Sequence, residues 1–272
     1  MPDISVRDLI DLVLNYSKEF GRHDLPWRLN RTPFTAYLSE IMLQQTQVDR
    51  VVLKFNEFTA ELSSFKELAE APQAQVIRLW QGLGYNRRAL ALHRSAQMIV
   101  QEFGGKLPST EEELLSLPGI GPATAGSLQV YAFNKKVSYI ETNIRAVFLH
   151  HFFADDTEVH DKHLLPLITE ALGYVDSAYE WYSALMDYGT MLKKKHKNPA
   201  RKSKHHQKQS TFEGSLRQVR GAVVRYLSSH ESASLIELQA HIKDPQHRVA
   251  PVVKALIDEG FLVQSDIYYS LK

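Results

Sequence analysis

The sequence contains no cysteine, which excludes disulfides, thiolate zinc sites and iron–sulfur clusters held by thiolates. It also has no run of the roughly 18 apolar residues that a membrane-spanning helix needs. Residues 1–16 alternate apolar and charged side chains at helical spacing, without the basic start and apolar run of a signal peptide. We therefore expect a cytoplasmic protein with no membrane partner, in which any metal is held by oxygen or histidine ligands.

The formal net charge of the 272 residues is only +1, but charge is distributed unevenly along the chain. No aspartate or glutamate occurs between Tyr188 and Phe212. A basic run of this kind is either a solvated linker or a strip that contacts backbone phosphates, and composition leaves both open. The basic side chains of this segment, 193–208, are Lys193, Lys194, Lys195, Lys197, Arg201, Lys202, Lys204 and Lys208.

Apolar residues recur at three- and four-residue spacing through the first two thirds of the chain, which predicts helices. One long or two abutting helices are expected over 34–58, with Thr32 as the cap and Pro33 at the first helical position. Further predicted helices cover 65–71, 74–82, 87–103, 110–117, 122–133, 143–153, 162–173 and 177–191.

After residue 213 the pattern changes to three helices, at 215–229, 235–242 and 247–259, followed by a short alternating tail at 261–271. Three helices and a β-hairpin suggest a winged-helix-like module, although a helical cap with a terminal strand would give the same pattern. The sequence therefore predicts an all-α protein with a small C-terminal α+β module.

A glycine-rich turn joins two predicted helices at 117–125. Gly119 and Gly121 permit positive φ angles and leave N–H groups open to a phosphate at the start of the following helix. A purely structural hairpin between packed helices would use the same residues.

This turn resembles the helix-hairpin-helix of the glycosylase superfamily that includes MutY and endonuclease III. The resemblance covers residues 5–192 and favours the MutY-type adenine glycosylases. It implies a two-lobed fold with residues 1–29 and 135–213 in one lobe, residues 30–134 in a six-helix-barrel lobe that contains the hairpin, and 214–272 as an added module. The matching segments are Leu25-Pro26-Trp27-Arg28, Thr32-Pro33-Phe34, residues 39–48, residues 79–85 and Met186-Asp187-Tyr188-Gly189.

The resemblance also implies how duplex DNA is bound. The hairpin would contact a phosphate and hold a Na⁺ or K⁺ ion through the carbonyls of Leu115, Leu117 and Ile120. Gln44 and Tyr85 match residues that fill the gap left by a flipped nucleotide. Other implied DNA contacts are Gln45, Thr46, Gly119, Gly121, Ala123 and Thr124. The basic segment occupies the place of the family's 4Fe–4S cluster, so we predict phosphate contacts by Lys193, Lys194, Lys195, Arg201 and Lys202, with no required cofactor.

Two glutamates could perform the chemistry. Hydrolysis of an N-glycosidic bond needs a proton for the departing base and negative charge near the oxocarbenium-like sugar. Glu40 lies on or beside the apolar face of its helix, where a raised pKa would suit a general acid. By resemblance it protonates the purine and activates water.

Glu141 stands where the superfamily has aspartate, and Asn143 matches the partner of that carboxylate. We expect Glu141 to stabilise the sugar cation, although its extra methylene could displace the carboxylate by about 1 Å. The alternative is that Glu141 only caps the helix that begins near Asn143.

The resemblance places Leu25, Trp27, Arg28 and Asp187 in the base pocket, with Asp187 able to accept from an exocyclic amine. Ala123 replaces the attacking lysine of endonuclease III, so we predict base removal without efficient strand cleavage. The expected function is a monomeric, monofunctional glycosylase that removes adenine opposite 8-oxoguanine or guanine.

Alternatives are removal of uracil or thymine opposite guanine, removal of hypoxanthine, and non-catalytic binding of duplex DNA. The tail is too short for the NUDIX-like domain of most MutY proteins. Recognition of 8-oxoguanine is therefore left open.

Overall fold

The computed structural model describes residues 4–196, 198–204 and 211–272. These residues are mostly helical, with one small antiparallel sheet in the C-terminal part. The predicted fold class, all-α with a small α+β module, is confirmed. In the described part of the chain, no helix is both long enough and apolar enough to cross a membrane.

Most helices lie where the apolar periodicity predicts them. In chain order they are α1 Val6–Phe20, α2 Pro26–Leu29, α3 Pro33–Leu43, α4 Val48–Glu61, α5 Phe65–Glu70, α6 Gln73–Leu79, α7 Arg87–Glu102, α8 Glu111–Ser116, α9 Pro122–Phe133, α10 Thr142–Phe152, α11 Asp161–Tyr174, α12 Ala178–Lys195, α13 Leu216–Ser229, α14 Leu235–Ile242 and α15 Val249–Asp258. The strands are β1 Ala233–Ser234, β2 Leu262–Ser265 and β3 Tyr268–Leu271, and a short 3₁₀ helix covers Pro199–Lys202.

The helical segment predicted at 34–58 consists of two helices, α3 and α4. Helix α3 begins at Pro33, and the hydroxyl of Thr32 accepts the backbone N–H of Thr35 at 3.1 Å, as predicted for a cap. The two helices are separated at Gln45, which has a φ of 55° that a helix cannot contain.

The chain divides into two compact units. The first unit comprises residues 1–40, 108–116 and 120–208, and the second comprises residues 41–107, 117–119 and 209–272. The resemblance implies a different division of the chain, into two lobes and an added module. That division stays a prediction.

The core of the first unit is formed by α1, α9, α10, α11 and α12. Trp181 and Tyr182 on α12 are fully buried, together with Phe148 on α10. Each such large apolar side chain contributes roughly 2 to 3 kcal/mol on burial. The hydroxyl of Tyr182 donates to the carbonyl of Val137 at 2.9 Å, so its one polar group is satisfied. Helix α12 is thereby fixed against α10, and both helices carry predicted site residues.

The C-terminal segment forms the predicted three helices and β-hairpin, together with the short strand β1, which the sequence did not indicate. The sheet order is β1-β3-β2, and β2 pairs with β3 in the register Leu262 to Leu271. A two-residue loop closes the hairpin, with Asp266 at a φ of 54°. Aspartate tolerates this left-handed conformation better than most residues.

The apolar core of the second unit includes both this segment and the helices before it. Ile77 of α6 and Leu90 of α7 belong to the same buried cluster as Val223 and Phe261. Glu259 accepts from Arg87 at 2.7 Å and from Arg220 at 2.6 Å, which ties α7 to the C-terminal segment.

Candidate active site

Glu40 follows a stretch of α3 in which positions 34–39 are all buried, and it is itself only partly exposed. Burial raises the pKa of Glu40 to about 7, a hydrogen bond with Ser127 acts in the opposite direction, and the negative charge of Glu141 raises it further. A carboxyl with this pKa is about half protonated at neutral pH, so it can deliver a proton to a bound acceptor.

Helix α9 brings two further polar side chains to Glu40. The hydroxyl of Ser127 is buried and lies 2.9 Å from the carbonyl of Thr124. Since a hydroxyl has one proton and two acceptor sites, Ser127 can donate to Thr124 while accepting from protonated Glu40, or donate to the ionised carboxylate instead.

The second polar side chain is Tyr131. Burial and the negative charge of Glu40 raise the pKa of Tyr131 well above its usual value, so its phenol stays neutral. Sequence reasoning missed Ser127 and Tyr131. The signal that could have found them is the polar stripe at positions 124, 127 and 131 on an otherwise small and apolar helix.

Glu141 is the N-cap of α10. Its Oε1 accepts the backbone N–H of Asn143 at 2.5 Å and that of Ile144 at 3.1 Å, and its Oε2 lies 3.4 Å from Nδ2 of Asn143. Burial raises the pKa of Glu141, while the N–H of Ile144 and the positive charge of Lys193 act in the opposite direction. Glu141 therefore caps α10, as the alternative interpretation predicts. At this position its carboxyl is close enough to Glu40 to raise the pKa of Glu40.

Helix α12 packs closely on the start of α10. A Cβ atom built on Gly189 would lie 2.7 Å from the carbonyl oxygen of Asn143 and 2.9 Å from its Cβ. One turn earlier on α12, Met186 Sδ accepts from Nδ2 of Asn143 at 3.4 Å. The position of Asn143, and with it the Glu141 cap, therefore depends on the absence of a side chain at 189.

Asp187 is buried and binds two arginines. Its Oδ1 accepts from Nε of Arg22 at 2.6 Å, and its Oδ2 accepts from Nη1 of Arg28 at 2.8 Å. The backbone N–H of Arg22 and Nη2 of Arg28 add two bonds at 3.2 Å. These four donors match the approximate acceptor capacity of a carboxylate. Asp187 thus holds Arg22 and Arg28 in this structure, and its predicted bond to a base amine stays a prediction.

The other predicted pocket residues lie around the short helix α2, which the sequence did not indicate. Leu25 is buried at its N-cap, whereas Trp27 and Arg28 are partly buried within it. The charge of Arg28 acts on Tyr131, so this helix and the surroundings of Glu40 lie close together in the first unit. Arg22, which orients Arg28 through Asp187, was missed by sequence reasoning.

The predicted hairpin is a tight turn. Gly119 has a φ of 82°, and a Cβ there would lie 2.9 Å from Cβ of Ala91, so a side chain is excluded on both grounds. Gly121 is the N-cap of α9, and Ala123 in the first turn of that helix is exposed. The first N–H groups of a helix are available for an anion unless they are capped.

Comparisons with known proteins show what this part of the chain is similar to. Residues 38–167 match the family described as HhH-GPD superfamily base excision DNA repair protein. The chain is similar to this family over these residues. The matching residues include Glu40, the hairpin and Glu141.

Individual relatives are named as DNA glycosylases. The adenine DNA glycosylase of Buchnera aphidicola subsp. Baizongia pistaciae is 32% identical over 180 residues, which cover 66% of this chain and 51% of that protein. The thymine/uracil-DNA glycosylase of Methanothermobacter thermautotrophicus is 25% identical over 173 residues, which cover 63% of this chain and 78% of that protein.

Among solved structures, a thermostable thymine-DNA glycosylase has a TM-score of 0.60 at 24% identity, with 68% of this chain and 86% of that chain covered. This likeness shows the fold. The chain spans about half the length of the adenine DNA glycosylases from Buchnera that it matches.

The basic segment lies beyond the residues that match the HhH-GPD family. Lys194, Lys195 and Arg201 are exposed, whereas the amine of Lys202 donates to the carbonyls of Phe153 and Ala154. Lys193 is half-buried, and its charge acts on Glu141. Of the other basic side chains of this segment, Lys197 and Lys208 lie outside the described residues. Lys193 therefore differs from Lys194 and Lys195 in its burial.

Within the residues that match this family, one arginine binds both of the loops that carry Gln44 and Tyr85. Nη1 of Arg88 donates to the carbonyls of Ile41 at 2.8 Å and Gln44 at 2.6 Å. Its Nη2 donates to Oγ1 of Thr46 at 2.9 Å and to the carbonyls of Leu83 and Gly84 at 3.2 Å. Sequence reasoning missed Arg88, because one arginine in an amphipathic helix gives no signal of this role.

Both loops contain a residue in the left-handed region, with φ values of 55° for Gln45 and 48° for Tyr85. Such conformations persist only where the surroundings impose them, which Arg88 does here. The hydroxyl of Tyr85 also accepts from Nη1 of Arg217 at 3.0 Å.

The described residues contain no group of three histidine, aspartate or glutamate side chains that could hold a metal ion. The Na⁺ or K⁺ ion predicted at Leu115, Leu117 and Ile120 would be held by backbone carbonyls and not by such side chains. This site stays a prediction. A cluster held by cysteines is excluded by the sequence itself.

Proposed function

We propose that this chain is a monofunctional DNA glycosylase of base excision repair that removes a mispaired adenine from duplex DNA. The observation that carries the proposal is a partly buried Glu40, with a pKa of about 7, close to a second carboxyl at Glu141. Two carboxyl groups in different surroundings are the expected equipment for hydrolysis of a glycosidic bond.

In the proposed reaction, the carboxyl of Glu40 donates its proton to N7 of the extruded adenine. The bond from the sugar to N9 then breaks, and its electron pair leaves with the base. The ionised carboxylate of Glu141 stabilises the positive charge left on the sugar. Water adds to C1′ and gives its proton to the carboxylate of Glu40, which restores the starting state.

Adenine is favoured because Glu40 suits a base with an acceptor at N7, and because the Buchnera relative is named an adenine DNA glycosylase. A second candidate is removal of uracil or thymine. It is favoured by the relative from Methanothermobacter thermautotrophicus, of which this chain covers 78%.

The reaction is proposed to stop at the abasic site. Ala123 has no amine, and an imine with the sugar requires one. Strand breaks should therefore appear only after treatment with alkali.

The partner that fits this function is double-stranded DNA with a mispaired base, bound by a monomer in the cytoplasm. Gln44 and Tyr85 would fill the gap left by the extruded nucleotide. The exposed basic residues Lys194, Lys195 and Arg201 would contact phosphates, and a Na⁺ or K⁺ ion at the hairpin would assist.

The test compares the wild-type protein with Glu40→Gln on duplexes that contain adenine opposite 8-oxoguanine, adenine opposite guanine, uracil or thymine opposite guanine, or hypoxanthine. After alkali, the adenine duplexes should be cleaved by wild type, and Glu40→Gln should be slower by about 100-fold or more. Exposed Glu61 provides a matched control, and Glu61→Gln should act like wild type.

Preferred release of uracil or thymine would overturn the adenine assignment in favour of the second candidate. Binding of duplex without release of any base would leave a non-catalytic DNA-binding protein. A Glu40→Gln variant as fast as wild type would contradict the role of Glu40.

A further inference from the structure

One face of α12 is directed at the start of α10. Nδ2 of Asn143 donates to Met186, Gly189 lies against the backbone of Asn143, and Oγ1 of Thr190 lies 3.5 Å from Oδ1 of Asn143. Residues three, four and seven positions apart share one face of a helix. Lys193 is seven positions after Met186 and four after Gly189, so it continues this face beside the Glu141 cap.

Burial and charge distinguish Lys193 from the lysines that follow it. Lys193 is half-buried, whereas Lys194 and Lys195 are exposed. Burial lowers the pKa of Lys193, Glu141 raises it, and Arg22 lowers it. A half-buried ammonium requires a nearby anion, and Glu141 supplies one.

The two carboxyls of the site need opposite protonation states. Two carboxylates that interact at close range cannot both ionise easily, so the surroundings decide which one keeps the proton. Glu40 faces neutral groups on its own side, the hydroxyl of Ser127 and the phenol of Tyr131. Glu141 faces two backbone N–H groups and the ammonium of Lys193.

The remaining ionisable groups nearby do not replace Lys193. Arg22 and Arg28 both bind Asp187, although their charges extend to Lys193 and Tyr131 respectively. The phenol of Tyr139 is neutral, because burial raises its pKa well above the usual value. Arg145 in the first turn of α10 binds Asp161 on α11.

We propose that Lys193 is a positioning residue that keeps Glu141 ionised, so that the shared proton resides on Glu40. This inference rests on the proposed glycosylase function. It also gives Lys193 a different role from the exposed basic residues of the same segment, which would bind phosphate.

The first test measures Glu141 directly and does not depend on activity. Carboxyl carbons of glutamate are labelled in the full-length protein, the Glu141 signal is assigned with Glu141→Gln, and its titration is followed by nuclear magnetic resonance. In Lys193→Met the titration midpoint of Glu141 should rise by about one pH unit or more, whereas Lys193→Arg should stay near wild type. An unchanged midpoint in Lys193→Met would overturn the proposal.

The second test measures single-turnover release of adenine at saturating protein between pH 5 and pH 9. Lys193→Met should lower the rate at neutral pH by about tenfold and move the acidic limb of the profile to higher pH, because Glu141 then ionises later. Lys193→Arg should restore most of the rate. Exposed Lys162 on α11 provides the control, and Lys162→Met should match wild type.

Two results would contradict the positioning role. A weaker affinity and a smaller salt dependence of duplex binding, with an unchanged pH profile, would make Lys193 a phosphate contact. Borohydride trapping of DNA on Lys193 would make it an amine nucleophile. If wild type releases no base at all, the proposed function fails, and the titration of Glu141 still decides whether Lys193 controls its ionisation.

Discussion

At the scale of single residues, the two glutamates differ in what surrounds them. Glu40 lies beside the hydroxyl of Ser127 and the neutral phenols of Tyr131 and Tyr139, whereas Glu141 accepts backbone N–H groups and faces a lysine. The raised pKa of Glu40 agrees with its expected place beside the apolar face of its helix. The hydroxyl of Ser127 opposes this shift, so it sets how far the pKa rises.

Ser127→Ala tests this balance. Loss of the hydrogen bond that lowers the pKa of Glu40 should raise that pKa, and a general acid with a higher pKa stays protonated to higher pH. The alkaline limb of the rate profile should therefore move to higher pH. The control is Ser138→Ala, which removes an exposed hydroxyl bonded to Thr169. Identical profiles for Ser127→Ala and wild type would show that Ser127 does not act on Glu40.

Apolar periodicity and the positions of proline and glycine predicted much of the local structure, including the start of α3 at Pro33 and the turn at Gly119. Side-chain partners between distant segments were not predictable in the same way. Arg88 and Ser127 each lie on a helix whose position was predicted, but a single sequence does not show which loop or carboxyl they face. The basic run predicts the same role for Lys193 as for its neighbours, because such a run contains no signal of partial burial.

At the scale of elements, the site depends on how closely α12 approaches the start of α10. Glu141 caps α10, Asn143 follows it, and Gly189 allows α12 to touch the backbone of Asn143. A change that separates these helices should displace both the cap and the carboxylate. Displacements of about 1 Å can cost a factor of about 100 in rate.

Gly189→Ala tests this contact, because its Cβ would lie 2.7 Å from the carbonyl oxygen of Asn143. Base release should fall by about 100-fold, while circular dichroism still shows a helical protein. Gly173→Ala on α11 is the matched control, since nothing lies within 4 Å of its Cβ. That change should leave the rate unchanged and add about 0.5 to 1 kcal/mol of stability through helix propensity. Equal rates for the two variants would contradict the account.

At the scale of the whole molecule, the C-terminal segment is part of a larger core. Ile77 and Leu90 of the preceding helices belong to the same buried cluster as the segment predicted as a module at 214–272, and the division into two lobes and a module stays a prediction. Apolar periodicity predicts the helices at 74–82 and 87–103, but one sequence does not show which partner covers their apolar faces. Through Arg217, the same segment also holds the hydroxyl of Tyr85.

The most direct test of the central claim, proton delivery by Glu40, is the single-turnover rate of adenine release as a function of pH. For wild type the rate should be half-maximal near pH 7 on the alkaline side and fall about tenfold for each further pH unit, because only the protonated carboxyl acts. Glu40→Gln should be slow and independent of pH in this range. A wild-type rate that stays constant from pH 6 to pH 9, or an alkaline limb that persists in Glu40→Gln, would contradict the account.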